Sequence, residues 1–334
     1  MDYVKRLVIT GQRQAGFEEV GMPSCGTDEV LIRASTTAVS TGTEIRVYRG
    51  IPIDEAGQFI FPDIPLEFPM ENGYSMVGEV VEVGKEVANF VVGDRVFATA
   101  THREYAVVPA NLVTKLPVNI SNEHAVFSNI VGVGHIAIRR GNPAPGENVA
   151  IIGQGVIGLS VLAYCQAFGF RTIAIDYDAG RLSIAKQMGA DLAISPDEDH
   201  FLQQVLDFCD GDGPDLVLEA ATSWPAIQMG MDIACTGGTV VVVSRHTDLP
   251  HFNLVGGAYL GKQLTFLTSY GYPPDGHRWD RDRSMALTLD LMQKGRLTLE
   301  PMITHRFTWQ ALPDIYRRLD QGERELVGIV VDWT

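Results

Sequence analysis

The sequence predicts an α/β protein of two domains, a β-rich one joined to a doubly wound parallel sheet. Three observations predict it. Residues 1–120 hold short alternating apolar runs separated by Gly, Pro and Asp. From residue 121 onward strands and helices alternate, the rhythm of a parallel sheet. At 149–176 an apolar strand, a G-x-G-x-x-G turn, a helix-compatible run and a second apolar strand ending in an acid follow one another. A chain of 334 residues, 46% apolar and 20% charged, can build a core in each domain.

Taken in order, residues 6–10, 29–34, 78–83, 95–98 and 104–108 read as strands, with 77–87 and 92–97 forming strand, loop and strand. A helix over 123–140 leads to the strand 149–152, the glycine turn, a helix over 159–168 and a strand over 172–175. Helix 181–188 passes through Gly189 to strand 192–194, and helix 200–209 through Gly-Asp-Gly-Pro to strand 216–219. Helix 225–234 ends at Gly237-Gly238 before strand 239–244. A short helical piece at 254–260 precedes strand 263–269, and a loop over 271–283 leads to helix 284–294. Each helix–Gly–strand passage carries the stop signal of a helix C-terminus. The tail 296–334 returns to the β-rich domain, so the expected domains are 1–122 with 294–334, and 123–293.

The turn at Gly153, Gly155 and Gly158 has the context that a lone glycine motif lacks. Its glycines allow a tight turn and let backbone approach a pyrophosphate, which rests on the helix N-terminus at Val156 and Ile157. Asp176 follows at the distance where a carboxylate binds a ribose diol and repels a 2′-phosphate, so the expected fold is the Rossmann type and the expected cofactor is NAD. Arg181 either stacks on adenine or pairs with a phosphate. Ser244 and Ser269, at strand ends, are candidates for the nicotinamide carboxamide or ordinary turn serines. The uncharged run 148–170 is long enough for a membrane span, but its clustered glycines and the acid beyond it argue against one.

Composition narrows the partners. A net charge of −15 without any Lys/Arg cluster argues against binding to a nucleic-acid backbone. The N-terminal segment has no signal-type apolar core, so a soluble cytoplasmic protein with a small-molecule substrate is expected. Four widely spaced cysteines form no metal-type pair, and Cys165 and Cys235 read as small core residues. Strand 263–269, apolar and last in its sheet, would leave a bare edge unless two copies paired as a homodimer.

The whole chain resembles the medium-chain dehydrogenase/reductase superfamily, a GroES-like catalytic domain followed by a Rossmann domain. The resemblance is carried by residues 39–50 (Val-Ser-Thr-Gly-Thr-Glu-Ile-Arg-Val-Tyr-Arg-Gly), 73–84, 92–96, the fingerprint at 153–158 and 187–191 (Gln-Met-Gly-Ala-Asp). Ser40-Thr-Gly-Thr-Glu, Gly73-Tyr-Ser and Thr101-His-Arg-Glu-Tyr are most similar to the bacteriochlorophyllide a dehydrogenase-like branch. Zinc enzymes of the superfamily carry Cys where this chain has Thr41, His-Glu where it has Tyr74-Ser75, and a third thiolate or carboxylate near Ser128-Asn129. The four-cysteine structural lobe is missing as well. Cys25-Gly-Thr-Asp is similar to a zinc-ligand motif but precedes the strand that the true counterpart should follow. The resemblance therefore implies no metal; a relocated site on Glu44 and His102 is the alternative.

Without zinc, a side chain must take the proton as hydride leaves. Tyr74 stands at the former His-ligand position, and Thr43 matches the hydroxyl that relays the proton in zinc relatives. His102 follows the strand whose counterpart lines the substrate pocket. Each has a plainer alternative: Tyr74 fills the metal void with its hydroxyl on backbone, Thr43 caps a helix starting at Glu44, and His102 is a surface-loop histidine. Arg46 either binds nicotinamide ribose or an acidic substrate, or is solvated. His135, at apolar helical spacing, reads as a satisfied packing histidine, with cofactor contact second. The leading function is an NAD-dependent, zinc-free dehydrogenase of secondary alcohols, and the branch resemblance implies a hydroxyethyl tetrapyrrole, a polyol or a sugar-like molecule as its substrate. A reductase of quinones or activated double bonds and a non-catalytic dinucleotide-binding protein are the alternatives. Substrate shape depends on loops 48–70 and 271–283, which have no regular pattern.

Overall fold

The computed structural model describes residues 3–50, 67–246, 249–273 and 277–334, so most of the loop 48–70 and part of 271–283 lie outside the described residues. The chain forms two compact units, Met1–Asn129 with Ile303–Thr334, and Ile130–Met302. The divisions fall several residues beyond the expected ones in both places. Residues 296–302 stay with the second unit because Arg296 donates to the Ala167 carbonyl at 2.6 Å and Leu297 N–H to Leu291 O at 3.2 Å.

The first unit is β-rich. Among the described residues, a seven-stranded sheet runs Ile303–Thr308, Gly328–Asp332, Glu29–Val39, Met76–Val83, Arg95–Ala98, Val113–Lys115, with Tyr105–Pro109 also pairing to Glu29–Val39. Glu29–Val39 outruns the expected 29–34 because the β-branched and small residues Thr36 to Val39 continue it, pairing antiparallel with Gly328–Asp332. A smaller sheet joins Gln14–Gly21, Tyr3–Gly11 and Met70–Glu71. Leu7, Ile32, Val80, Ile315 and Ile329 are among the side chains that fill the core between these elements. Cys25 lies in the irregular segment just before the turn that leads into Glu29–Val39, its thiol on the Glu29 carbonyl at 3.2 Å.

The expected helix 123–140 is two helices, Asn122–Ala125 and Ser128–Gly141. The carbonyls between them are taken by side chains: Ser128 Oγ donates to Ala125 O and Ser75 Oγ to Val126 O. Such side-chain bonds compete with the helical ladder for those carbonyls.

The second unit is a six-stranded parallel sheet in the order Leu192–Ile194, Arg171–Ile175, Asn148–Ile152, Leu216–Glu219, Thr239–Val242, Thr265–Thr268. The strand order reverses at Asn148–Ile152, and ligands of such sheets bind at the carboxyl ends of the strands beside that switch point. Val149, Ile151, Ile173 and Val217 are fully buried, which matches the continuous apolar runs of central parallel strands. No helix among the described residues is long and apolar enough to cross a membrane, and the apolar run 148–170 resolves into a strand and the helix Val156–Phe168. Cys165 is buried as expected, whereas Cys235 is half-buried beside Asp215.

Candidate active site

In the second unit the glycine turn forms as its spacing predicts. Gly153 has φ +93°, and a Cβ there would meet the Ala221 backbone at 2.7 Å. A Cβ on Gly158 would lie 1.8 Å from the Gly153 carbonyl, so the helix Val156–Phe168 can start this close to the turn only with glycine. Gly155 faces open space, and no side chain caps the helix that begins after it. The N–H groups of Val156 and Ile157 in that uncapped first turn suit an anion.

Asp176 ends the neighbouring strand. Its two oxygens accept from the backbone N–H of Gln154 at 2.7 Å and of Asp178 at 2.9 Å. These bonds fix the carboxylate and still leave each oxygen lone-pair capacity for a ribose hydroxyl. Gln154 is fully buried and pins the turn by donating to Ile151 O at 2.7 Å. Arg181 lies half-buried in the first turn of Ala179–Gln187, its backbone N–H on Asp178 at 3.0 Å. The turn and Asp176 thus fit a dinucleotide.

At the next strand ends, Ser244 donates its hydroxyl proton to the buried Glu219 carboxylate at 2.5 Å. His246 Nε2 stands 3.0 Å from the same oxygen, and Glu219 also accepts from Ala221 N–H at 2.8 Å. The strand Thr239–Val242 stops short of the expected 239–244. Ser269 is 6% exposed, and its hydroxyl has no hydrogen-bond partner among the described residues. His135 is buried among Tyr164, Phe168 and Trp279, and among the described residues its Nδ1 has no partner, so it is not the satisfied histidine expected. Burial, with Arg139 adding to it, pushes its pKa down to about 4.

In the first unit the helix Thr43–Arg49 carries three of the candidate residues. Gly42 holds the cap position without a side-chain bond and Thr43 is itself the first helical residue, so Thr43 is not the cap. Arg46 lies half-buried in its last turn. Glu44, 1% exposed, turns back: its Oε1 accepts from Ser40 N–H at 2.8 Å, and its own N–H donates to Ser40 O at 3.0 Å. Tyr74 donates to Ser40 Oγ at 2.5 Å.

His102 is not a surface residue. It is 1% exposed, with Nε2 at 3.0 Å from Glu44 Oε2 and Nδ1 at 2.7 Å from Thr37 Oγ1. Gly73 makes room for it: at φ +95° a Cβ there would lie 2.6 Å from the imidazole ring. Tyr316, fully buried, donates to Glu44 Oε2 at 2.6 Å, and Trp333 Nε1–H donates to Thr37 at 3.0 Å. Burial and the adjoining Glu44 carboxylate hold the Tyr316 phenol well above its ordinary pKa. A buried carboxylate is costly unless hydrogen-bonded, and here three donors meet Glu44: backbone, imidazole and phenol. Sequence reasoning named Tyr74 and His102 but missed Ser40, Thr37, Tyr316 and Trp333. The one local signal was the four-residue spacing from Ser40 to Glu44.

These residues do not fit a catalytic zinc. Ser75 and Ser128 donate to backbone carbonyls, and Tyr74 to a hydroxyl. Glu44 and His102 face each other, but among the described residues no three His, Cys, Asp or Glu side chains stand together as a metal site would require.

Comparison with known proteins fits this division. Residues 26–118 match the alcohol dehydrogenase GroES-like domain, and residues 156–285 match the zinc-binding dehydrogenase family. An L-threonine 3-dehydrogenase from Pyrococcus abyssi is 30% identical over 327 residues, covering 88% of each chain. A D-guloside 3-dehydrogenase from Shigella flexneri is 26% identical over 348 residues, covering 98% of this chain and 99% of its own. The crystal structure of 2R,3R-butanediol dehydrogenase from Bacillus subtilis shares the fold with a TM-score of 0.84 at 22% identity, over 99% of this chain and 100% of its own. The chain belongs to the medium-chain dehydrogenase/reductase superfamily of oxidoreductases.

Proposed function

We propose that the protein is an NAD-dependent, zinc-independent alcohol dehydrogenase that interconverts a secondary alcohol and a ketone in the cytoplasm. One observation carries the reading: at the position where zinc relatives hold a ligand, the Tyr74 hydroxyl donates to Ser40 Oγ at 2.5 Å. Oxidising an alcohol requires that its proton leave along with the hydride, and a positioned hydroxyl pair can relay that proton to solvent without a Lewis acid. Bound NAD would supply the hydride acceptor. Asp176 favours it over NADP, because a carboxylate already fixed by two backbone N–H groups repels a 2′-phosphate.

The substrate we infer is a polyol or sugar-like molecule, or a hydroxyethyl tetrapyrrole as in the bacteriochlorophyllide-like branch. The names of the threonine and guloside dehydrogenases, both of which oxidise carbon 3, support a secondary hydroxyl. Arg181 and Ser269 serve the dinucleotide in this reading. His102 supports the proton-handling residues from behind, and the working form is a homodimer.

The test is an absorbance assay at the nicotinamide band with NAD and NADP across secondary alcohols, enones and quinones, together with elemental analysis of the same sample. Reduction of NAD by an alcohol in a sample holding no stoichiometric zinc, unchanged by chelators, is the expected result. About one tightly held zinc per chain would overturn the zinc-independent part. Turnover of enones or quinones alone would replace the alcohol reading with that of a reductase.

A further inference from the structure

Ser40 lies outside the set of residues to which the sequence assigned chemistry, yet its hydroxyl is the acceptor of the Tyr74 proton. We infer that Ser40 is a catalytic residue, the hydroxyl that exchanges a proton with the substrate oxygen, with Tyr74 behind it and Glu44 positioning it. The inference rests on the alcohol dehydrogenase reading above.

The argument begins with hydrogen-bond direction. The Tyr74 O–H donates to Ser40 Oγ at 2.5 Å, the short end of the O–H···O range. With the phenolic hydrogen committed, the hydrogen on Ser40 is the one left to point onward. Its oxygen is then already polarised by a donor, and a hydroxyl that accepts a bond becomes a better donor itself.

Fixation comes next. Ser40 is 8% exposed, and Glu44 grips its backbone from both sides, with Oε1 on the N–H at 2.8 Å and the Glu44 N–H on the carbonyl at 3.0 Å. His102 and Tyr316 hold the other carboxylate oxygen at 3.0 Å and 2.6 Å. The Ser40 hydroxyl therefore stands on a buried, fully bonded base. That is the arrangement that keeps a reacting group in place without reorganisation. Tyr74 is only half-buried, so its phenol can exchange protons with solvent.

The proton path balances. In the reducing direction the carbonyl carbon receives the hydride while Ser40 gives its proton to the carbonyl oxygen. The Tyr74 proton moves to Ser40 Oγ, and water reprotonates Tyr74. Oxidation reverses each transfer and releases one proton to solvent.

The experiment has two arms. In the first, kcat and KM are measured with NAD and a secondary alcohol for the wild type, Ser40→Ala, Ser40→Thr, Tyr74→Phe and the double variant S40A/Y74F. Ser40→Ala should lower kcat about 10²-fold with little change in KM or in NADH affinity. Ser40→Thr, which keeps the hydroxyl, should recover most of the loss. Because the two hydroxyls act in series, the double variant should be no slower than the slower single. A wild-type kcat in Ser40→Ala, or losses that multiply in the double variant, overturns the inference while leaving the alcohol dehydrogenase reading intact.

The second arm needs no turnover. In protein labelled with ¹³C at the tyrosine Cζ, the Tyr74 signal is identified by its loss in Tyr74→Phe. It should move in Ser40→Ala and in the isosteric Glu44→Gln and return in Ser40→Thr. A signal unmoved by Ser40→Ala overturns the coupling, whatever the activity. If the wild type oxidises no alcohol with either dinucleotide, the functional reading falls and the catalytic role of Ser40 falls with it.

Discussion

Asp176 meets two backbone N–H groups before any ligand arrives, and that decides what its removal would cost. Asp176→Ala frees the Gln154 and Asp178 amides and deletes the carboxylate, so NAD binding should weaken and the preference over NADP should relax. Fluorescence titration with NADH and NADPH measures both, and tighter binding of NADPH by the unmodified protein would refute the assignment. His135 makes a different prediction. Its pKa falls from 6.5 in an unfolded chain to about 4 in the folded one, so below pH 6.5 the unfolded state binds more protons. Stability should therefore fall as the pH drops from 6.5 towards 4, and the contribution is complete above that window. His135→Phe keeps an aromatic ring against Tyr164 and Trp279 but cannot titrate. Its melting temperature should fall less between pH 7 and pH 5 than that of the wild type; an identical decline would assign the acid sensitivity elsewhere.

At the scale of elements, helix Trp224–Ile233 ends on a lysine from elsewhere in the chain. Lys262 Nζ donates to the carbonyls of Met231, Asp232 and Ala234 at 3.0, 2.6 and 2.8 Å. A cation on unpaired C-terminal carbonyls combines a charge-assisted bond with a favourable dipole interaction. Lys262→Met should cost about 1–2 kcal/mol, read as a melting temperature lower by a few degrees. An unchanged melting temperature would mean that water serves those carbonyls equally well. The sequence could announce the helix itself, since its apolar residues and the Gly237-Gly238 stop are local. It could not announce the lysine, which comes from 28 positions further on. The same contrast runs through the molecule. Strands Leu192–Ile194 and Leu216–Glu219 fall where their apolar runs place them, because burial on both faces needs only a continuous apolar stretch. The break between Asn122–Ala125 and Ser128–Gly141 was invisible, since the side chain that bonds the Val126 carbonyl within it is Ser75, 51 positions away. His102 read as either a base or a loop residue because its partners Thr37 and Glu44 are 65 and 58 positions distant.

At the scale of the whole molecule, the strand Thr265–Thr268 is the outermost of the parallel sheet, and apolar side chains crowd near it in sequence. Val255 is 73% exposed, Leu260 71%, Tyr270 69% and Phe266 39%. An exposed edge carrying such residues invites pairing with a second copy, and a two-fold operator closes the assembly. Light scattering should report a dimer at working concentration. Leu260→Glu together with Phe266→Lys should convert it to a monomer without unfolding the sheet. A wild-type monomer would leave these side chains without a role.

The first unit is assembled from two stretches that the ribosome makes far apart in time. Glu44 is complete only when Tyr316 arrives, 272 positions later, and Thr37 waits for Trp333 across 296 positions. Everything from Ile130 to Met302, by contrast, is one uninterrupted stretch with its own core. Synthesis therefore delivers the dinucleotide unit ready to fold while the unit begun first is still open, its buried carboxylate short of a donor and the strand Glu29–Val39 lacking its partner Gly328–Asp332. A nascent chain stalled once residue 302 has emerged, but before residue 303 follows, would carry a competent nucleotide fold beside an unfinished sheet. The half of the protein that starts first is thus the half that closes last.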